Sequence, residues 1–318
     1  MKKLIAVVLT LVLVLSASSA FALTIGFSQI GQESDWRTAN TDNVCNAIEA
    51  QGWELIYADG QQKQENQVQA LRSFITQGVD YILFTGVVST GWDEVLKEVN
   101  EAEIPLILLD RIPSCVDDIE YAAAFGGDFV EEGRRMVRWL ANYLEKEGRG
   151  DEEINIVMLE GPTGADAQIG RSEGILAELE NHPNMTLVES QTGNFTRAEG
   201  QQVMETFLNS IEDIDVLLAQ NDDMALGAID ALKAAGYFSG GRYMPVLGND
   251  ATLPALEALL QGSLYATVSN NAEQQGSAAL TLAMLLATGE AVTPENFPYQ
   301  MEGKFVYINS SYYRTEQK

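Results

Sequence analysis

Residues 81–111, YILFTGVVSTGWDEVLKEVNEAEIPLILLDR, decide the fold of this chain. They begin with the apolar run YILFTGV, continue through a segment of helical periodicity over 92–102, and end in a second apolar run, PLILLD. Neither apolar run alternates clearly between polar and apolar residues, which is typical of parallel strands buried on both faces. The stretch therefore predicts a strand, helix and strand of one parallel sheet.

The same alternation extends in both directions along the chain. The predicted strands are 23–30, 53–60, 81–87, 105–110, 121–125, 154–161, 186–193, 215–222, 244–250, 266–269 and 305–310. The predicted helices are 35–51, 64–77, 92–102, 128–147, 166–181, 197–210, 223–235, 253–261 and 272–288. Two such series in tandem predict an α/β fold of two doubly wound parallel-sheet lobes with a hinge.

The N-terminus has the pattern of an export signal. Met1-Lys2-Lys3 is basic, Leu4 to Leu15 is apolar, and Ala20-Phe21-Ala22 fits a small-x-small cleavage site. A transmembrane helix needs about 20 apolar residues, so this run is short for a span. We interpret 1–22 as a signal peptide, with an uncleaved anchor as the alternative, and expect a soluble mature chain that is periplasmic or otherwise extracytoplasmic.

The charge and the rare residue types narrow the function. The chain carries 46 acidic and 19 basic residues, and this acidity opposes binding to nucleic acid or anionic lipid. Solubility or adaptation to a salty medium is the alternative, and it would account for most of the acidity. Export permits a disulfide between Cys45 and Cys115, but the sequence leaves that pairing open. His182 is the single histidine and no metal-ligand spacing is present, so no metal and no cofactor is predicted.

Polar and aromatic residues follow the predicted strands in both halves. Ligands of parallel α/β sheets bind beyond the carboxyl ends of the strands, so these residues are candidates for one site. Arginines, carboxylates and amides can satisfy the hydroxyls of a sugar, and aromatic rings can pack on its C–H faces. The candidate ligand-binding residues are Trp36, Arg37, Thr85, Asp110, Arg111, Arg171, Phe195, Asn221, Asp250 and Asn270.

Most of these residues also have a structural interpretation. Asp110 and Arg111 could form a surface ion pair of little energetic value. Asn221 could cap the helix that follows it, and Asp250 could be a turn residue. Trp36 could belong to the core, and Arg171 could be a solvated charge. The recurrence of such residues at successive strand ends favours a site.

Several motifs resemble one family. LLDR at 108–111, RSEG at 171–174, AQNDDMALGA at 219–228 and GND at 248–250 resemble the type I periplasmic sugar-binding proteins, the ribose-binding protein family. Four further stretches resemble the galactofuranose-binding branch of this family more than the ribose-binding one. They are ESDWRTAN at 33–40, ADGQQKQENQ at 58–67, STGW at 89–92 and EVNEAEIPLILLDR at 98–111. The resemblance extends over nearly all of 23–318.

The resemblance implies lobe 1 at 23–126 plus 271–299 and lobe 2 at 127–270 plus 300–318, with the candidate residues in the cleft between them. It also implies that the cleft closes on a monosaccharide, galactofuranose or a related aldose. The chain would then deliver the sugar, as a monomer, to the membrane permease and ATPase of an ABC importer. Arg37 departs from the ribose-binding pattern, which favours another ring or an added polar group. Asn270 stands where the ribose binder has a glutamine at the hinge, and its role stays open.

Two alternatives from other classes share this site. A ligand sensor that feeds a membrane receptor or kinase would differ only in its partner. A sugar-acting enzyme could use the cleft carboxylates as acid and base. The sequence shows no serine elbow and no glycine-rich phosphate loop, so we expect no enzyme. A repressor is disfavoured because an export signal stands where a DNA-binding helix pair would be.

Overall fold

The computed structural model describes residues 23–270, 272–293, 295–298, 300–302, 304–307 and 312–314. The predicted signal peptide, 1–22, lies outside the described residues. Among the residues that are described, no helix is long and apolar enough to cross a membrane.

The strands and helices follow the predicted order closely. The strands are β1 Thr24–Gln29, β2 Glu54–Asp59, β3 Tyr81–Phe84, β4 Leu106–Leu109, β5 Ala123–Gly126, β6 Ile154–Glu160, β7 Met185–Thr192, β8 Val216–Ala219, β9 Val246–Asp250, β10 Ala266–Ser269, β11 Gln300–Glu302, β12 Phe305–Tyr307 and β13 Tyr312–Arg314. The helices are α1 Asp35–Ala50, α2 Gln64–Gln77, α3 Asp93–Glu101, α4 Phe129–Lys146, α5 Asp166–Leu179, α6 Arg197–Ser210, α7 Asp222–Ala234, α8 Leu253–Gln261 and α9 Ala272–Thr288. A 3₁₀ turn covers Val116–Asp118.

The strands form two sheets. The first has the order β11-β12-β5-β4-β3-β1-β2, and the second has the order β13-β10-β9-β8-β6-β7. Pairing is parallel except where β11 meets β12 and where β13 meets β10. We call each sheet with its packed helices a lobe, the first and the second in chain order. The predicted fold class, two doubly wound parallel-sheet lobes, is confirmed.

Each lobe has a core on both faces of its sheet. In the first sheet, Phe27 and Leu83 point to the face covered by α1 and α9. Ile82 and Phe84, on either side of Leu83 in the strand, point to the opposite face, which α2 and α3 cover. Successive strand residues point to opposite faces, so a strand buried on both faces is apolar throughout. This explains why the runs in 81–111 lack alternation.

The two cysteines lie on opposite faces of the first sheet. Cys115 is buried in the cluster beside α2 and α3, whereas Cys45 packs against the cluster beneath α1 and α9. Both thiols are free, so the disulfide considered from the sequence does not form. The sheet separates the two side chains, and a disulfide requires Cβ atoms about 3.5–4.5 Å apart.

The chain crosses from one sheet to the other after β5, after β10 and after β12. Because β11 and β12 belong to the first sheet, 300–302 and 305–307 join the first lobe and not the second, where the resemblance had placed them. The third passage falls between 307 and 312 instead. The strands β11 and β13 were not predicted, since each has three residues and no apolar run marks it.

Helices of the second lobe approach each other closely at glycines. A Cβ on Gly174 of α5 would stand 1.9 Å from the carbonyl oxygen of Val130 in α4. A Cβ on Gly227 of α7 would stand 2.0 Å from the carbonyl oxygen of Arg197 in α6. The glycines therefore set the spacing of α4 with α5 and of α6 with α7, which fixes the helix starts at the carboxyl edge of the sheet.

Candidate functional site

A cavity of about 260 Å³, counted with its open mouth, lies between the carboxyl edges of the two sheets. Its lining comes from both lobes and combines ion-paired, amide and aromatic side chains. The lining residues are Glu33, Ser34, Trp36, Arg37, Asp110, Arg111, Ala167, Arg171, Phe195, Asn221, Asp250 and Asn270. Nine of the ten residues predicted from the sequence are among them.

Thr85 is the predicted residue that does not line the cavity. It follows β3 at the correct edge of the sheet, but Gln67 of α2 covers that loop. The Gln67 amide donates to the Thr85 carbonyl oxygen at 2.8 Å, and its Oε1 accepts from the Val87 amide at 3.0 Å. These bonds hold Thr85 against α2 and away from the cavity lining.

The start of α1 brings two cavity residues into place. Ser34 caps the helix, and its hydroxyl accepts a hydrogen bond from the Arg37 amide at 3.1 Å. Trp36 and Arg37 then lie in the first turn, at the carboxyl edge of the sheet, and both are buried. Serine is a preferred N-cap because its oxygen satisfies an amide that the helix leaves without a partner. The cap thus fixes the direction from which Trp36 and Arg37 enter the cavity.

The first lobe contributes a four-residue ion-pair network. Arg37 contacts Glu33 at 3.2 Å and Asp110 at 2.5 Å, and Arg111 contacts the same oxygen of Glu33 at 3.1 Å. All four side chains are at most 4% exposed. Burial raises the pKa of Glu33, but Arg37 and Arg111 together outweigh it, so the pKa lies below its ordinary value. Glu33 is therefore charged and holds both guanidinium groups.

Asp110 adopts a backbone conformation that few side chains accept. Its φ is 60°, in the left-handed region, where aspartate is tolerated better than most residues. Its amide donates to the Phe125 carbonyl oxygen at 2.6 Å, which ties the end of β4 to β5. The resulting turn directs Asp110 and Arg111 into the cleft rather than to the surface. The surface-pair interpretation is therefore wrong, since both residues are buried.

The second lobe is organised around Arg171 of α5. Its guanidinium donates to Glu132 at 3.0 Å, to the Gln220 carbonyl oxygen at 2.6 Å and to Asp250 at 3.1 Å. Burial raises the pKa of Glu132, with the guanidinium of Arg171 opposing the rise. Burial likewise raises the pKa of Asp250 to about 7, again against the effect of Arg171. Arg171 is thus a buried structural cation that also faces the cavity.

Phe195 links the two lobes through its ring. The ring lies between Arg111 of the first lobe, whose guanidinium is 5.3 Å from the ring centroid, and Arg171 of the second, whose guanidinium is 5.8 Å away. A guanidinium within about 6 Å of a ring centroid is attracted to the π face. Gly161 makes room for the ring, since a Cβ there would lie 2.1 Å from the Phe195 Cζ atom.

Two asparagines complete the lining. Asn221 caps α7 by accepting from the Met224 amide at 3.0 Å, and its own amide donates to the Phe195 carbonyl oxygen at 3.0 Å. The capping interpretation of Asn221 is correct, and the residue lines the cavity as well. The Asn270 carbonyl oxygen accepts from the Trp36 indole at 2.6 Å, so Trp36 contacts the passage between β10 and α9.

Several buried polar atoms of the lining have no hydrogen-bond partner in the described part of the chain. They are Glu33 Oε2, Arg37 Nη1, Arg111 Nε and Asn270 Oδ1. Buried polar groups are normally satisfied, and an orphaned one costs about 1–3 kcal/mol. The set contains two acceptors and two donors. A ligand with hydroxyl groups, which both donate and accept, matches such a set.

Among the described residues, hydrogen bonds join the two lobes around the cavity. The Asp35 amide donates to Asp223 Oδ2 at 3.1 Å, and the Ile112 amide donates to Asp166 Oδ2 at 2.9 Å. The Ser89 amide donates to the Gly164 carbonyl oxygen at 2.8 Å. Burial raises the pKa of Asp166, with the Ile112 hydrogen bond opposing it. The contacts define a closed conformation in which the lining is shielded from bulk water.

The lining includes residues that the sequence prediction missed. Glu33 and Ser34 precede α1 in the loop after β1, and Ala167 lies in the first turn of α5. The four-residue spacing of Glu33 and Arg37 was the available signal for Glu33. Across the residues that the structure describes, no group of three or more histidine, cysteine or acidic side chains is arranged to hold a metal ion.

Fold and cavity together define a two-lobed binding protein with its site at the hinge. The sequence profile described as "Periplasmic binding protein domain" matches residues 25–291, and the chain belongs to this family. The resemblance drawn from the sequence motifs is thereby confirmed.

Named relatives agree with this assignment. The chain is similar to the galactofuranose-binding protein YtfQ of Escherichia coli (strain K12), with 41% identity over 83% of this chain and 82% of the relative. It is similar to a Mycobacterium smegmatis protein solved in complex with β-D-fucofuranose, with 43% identity, a TM-score of 0.84, and coverage of 92% and 91% of the two chains. A solved galactofuranose-binding protein is 37% identical, with a TM-score of 0.82 and coverage of 92% and 94%.

Proposed function

We propose that this chain is the extracytoplasmic solute-binding protein of an ABC sugar importer and binds one uncharged monosaccharide in the cleft. The balance of charge in the lining carries the proposal. Three arginines, Arg37, Arg111 and Arg171, face three carboxylates, those of Glu33, Asp110 and Asp250. An anionic or cationic ligand would add an uncompensated charge to a buried site, which is costly.

The hydrogen-bonding pattern favours a sugar among uncharged ligands. Charge-assisted hydrogen bonds are worth about 1.5–3 kcal/mol each, and the cavity offers both donors and acceptors for neighbouring hydroxyl groups. Trp36 and Phe195 add apolar surfaces for C–H groups. The relatives that bind galactofuranose and β-D-fucofuranose support a furanose or a related aldose as the ligand.

The mechanism follows from the position of the site between the lobes. A ligand that contacts Asp110 on one side and Asp250 on the other binds the closed conformation more tightly than the open one. Binding therefore shifts the population towards closure. The closed shape would then be recognised by the permease, which an ATPase drives, with the binding protein acting as a monomer. The acidity of the chain opposes a role with nucleic acid.

We assign binding rather than catalysis. Each of the three lining carboxylates is ion-paired to at least one arginine, so each one helps to hold a guanidinium group in place. Burial raises the pKa of Asp250 to about 7, which suits proton transfer, but this carboxylate is ion-paired to Arg171. A general acid and base pair would need a second carboxylate free to act on water.

The test is titration calorimetry of the mature chain with D-galactose, D-fucose and L-arabinose, followed by analysis of the recovered sugar. One site per chain and unchanged sugar support the proposal. Asp110→Asn weakens the Arg37 contact and should raise Kd about 10-fold to 150-fold. Asp118→Asn, an exposed carboxylate of the 3₁₀ turn, is the matched control and should leave Kd unchanged. No binding of any of the sugars, or consumption of one, would overturn the proposal.

A further inference from the structure

The turn after β9 holds Asp250 in an unusual conformation. Asp250 has a φ of 112° and Ala251 has a φ of 57°, so two consecutive non-glycine residues have positive φ. Such conformations are unfavourable and persist only where the surrounding structure holds them. The Asp250 carboxylate lines the cavity, so whatever holds this turn also determines where that carboxylate points.

Two buried side chains outside the cavity lining hold the turn. The Thr267 hydroxyl donates to Asp222 Oδ1 at 2.7 Å and accepts from the Ala251 amide at 3.1 Å. Asp222 Oδ2 accepts from the Thr252 amide at 2.8 Å and from the Thr252 hydroxyl at 3.3 Å. Asp222 and Thr267 are both fully buried. Together they bind the two amides that follow Asp250.

Helix capping does not account for Asp222. Asn221 already caps α7 by accepting from the Met224 amide. Burial, and then the charge of Asp250, raises the pKa of Asp222 well above its ordinary value, so a carboxylate at this position is costly. The packing is built around it, since a Cβ on Gly248 would stand 2.2 Å from Asp222 Oδ1. A costly buried carboxylate with space kept for it indicates a role other than starting the helix.

We propose that Asp222 and Thr267 are positioning residues that hold the turn at 250–252 so that the Asp250 carboxylate faces the ligand. This inference rests on the proposed function, because the ligand is the sugar of that cleft. The turn also reaches a second lining residue, since the Asp250 carbonyl oxygen accepts from the Asn270 amide at 3.4 Å. Loosening the turn should therefore weaken binding without removing any atom that touches the ligand.

The test compares Thr267→Val, which removes the hydroxyl at nearly constant volume, with Thr267→Ser, which keeps it. We expect Thr267→Val to raise the Kd for the sugar roughly tenfold and Thr267→Ser to stay within about twofold of the unaltered chain. Ile229→Val is the matched core control on α7. Ile229 is buried, and its substitution removes no polar group from the cleft. It should lower the unfolding temperature and leave Kd unchanged.

A double-mutant cycle separates positioning from a general loss of stability. In an Asp250→Asn background the effect of Thr267→Val on Kd should shrink to less than about twofold, because the carboxylate being positioned is gone. An unchanged tenfold effect in that background would contradict the proposal. If Asp250→Asn binds too weakly to measure, the Ile229→Val comparison decides, and an equal loss of affinity there overturns the proposal.

Amide exchange in the sugar-free protein tests the turn independently of the proposed function. Thr267→Val should speed exchange of the Ala251 amide by about tenfold or more, while Thr267→Ser should preserve its protection. Unchanged protection in Thr267→Val would overturn the positioning role even if sugar binds. If no sugar binds the unaltered chain, the proposed function fails, and the exchange result still reports whether Asp222 and Thr267 hold the turn.

Discussion

The Asp35 amide donates a 3.1 Å hydrogen bond to Asp223 Oδ2, and this bond joins the start of α1 in the first lobe to the start of α7 in the second. Burial, followed by the charge of Asp35, raises the pKa of Asp223 from its ordinary 3.8 to about 7. The hydrogen bond from the Asp35 amide opposes the rise in the pKa of Asp223, Asp250 adds to it, and Arg197 opposes it. The two residues belong to different lobes, so opening of the cleft would separate them.

This relationship predicts that sugar affinity falls as pH rises. The pKa of Asp223 is about 7 in the closed conformation, and opening of the cleft, which moves Asp35 away from this carboxylate, should lower it, so the closed state should hold more protons than the open one below about pH 7. In that window Kd should increase with pH by at most about tenfold per unit and then level off above pH 7. Calorimetry in buffers of different ionisation enthalpy measures the proton uptake directly.

The control for this prediction is Asp223→Asn, which should flatten the pH dependence. Asp213→Asn, an exposed carboxylate of the same lobe, should retain the slope of the unaltered chain. A pH-independent Kd in the unaltered chain, or the same slope in Asp223→Asn, would contradict the assignment to Asp223.

Arg171→Met should destabilise the second lobe strongly. The substitution leaves Glu132 and Asp250 buried without their cation, which costs about 3–5 kcal/mol of unfolding free energy. The loss should be smaller at acid pH, because both carboxylates have raised folded-state pKa values and become neutral by taking up protons as the pH falls. Urea denaturation at several pH values measures both effects.

The matched comparison is Arg197→Met. Arg197 pairs with Asp230 at 2.8 Å, but the two side chains are 52% and 41% exposed. An exposed pair of this kind is worth about 1 kcal/mol or less. Equal losses for the two substitutions would mean that burial of the Arg171 network contributes nothing of its own.

Gly161→Ala should weaken sugar binding through Phe195. The new methyl group would overlap the Phe195 ring and push it away from Arg111 and Arg171. Overpacking of this kind costs about 1–3 kcal/mol of stability, and we expect a loss of affinity of roughly tenfold in addition. Gly150→Ala, in the loop before β6, is the control, since its nearest neighbour is a Glu145 side-chain atom at 3.2 Å. Full affinity in Gly161→Ala would show that the ring position does not matter for the ligand.

The sequence could predict the fold because the apolar runs are local signals. YILF and LILL are buried on both faces of the sheet, so their composition alone indicates parallel strands. The parallel arrangement then places Asp110, Asn221 and Asp250 at the same edge of their sheets, and this made the site predictable. Strands β11 and β13 have no such local signal and depend on neighbours far along the chain.

The rest of the site depends on contacts that a linear pattern does not reveal. Glu33 gains its role from Arg111, which is 78 positions away. Thr85 ends a strand at the right edge, yet Gln67 of α2 covers its loop. The two cysteines lie on opposite faces of the first sheet, and the face that each occupies depends on the whole fold. Each of these outcomes is set by tertiary packing rather than by the residues adjacent in sequence.

Small-angle X-ray scattering of the mature chain, recorded during titration with the sugar that binds, tests closure of the cleft most directly. The hydrogen bonds to Asp223, Asp166 and Gly164 join the two lobes in the closed form. If the sugar closes the cleft, the radius of gyration decreases in proportion to site occupancy and stops decreasing at one sugar per chain. An unchanged radius of gyration at saturation would contradict closure.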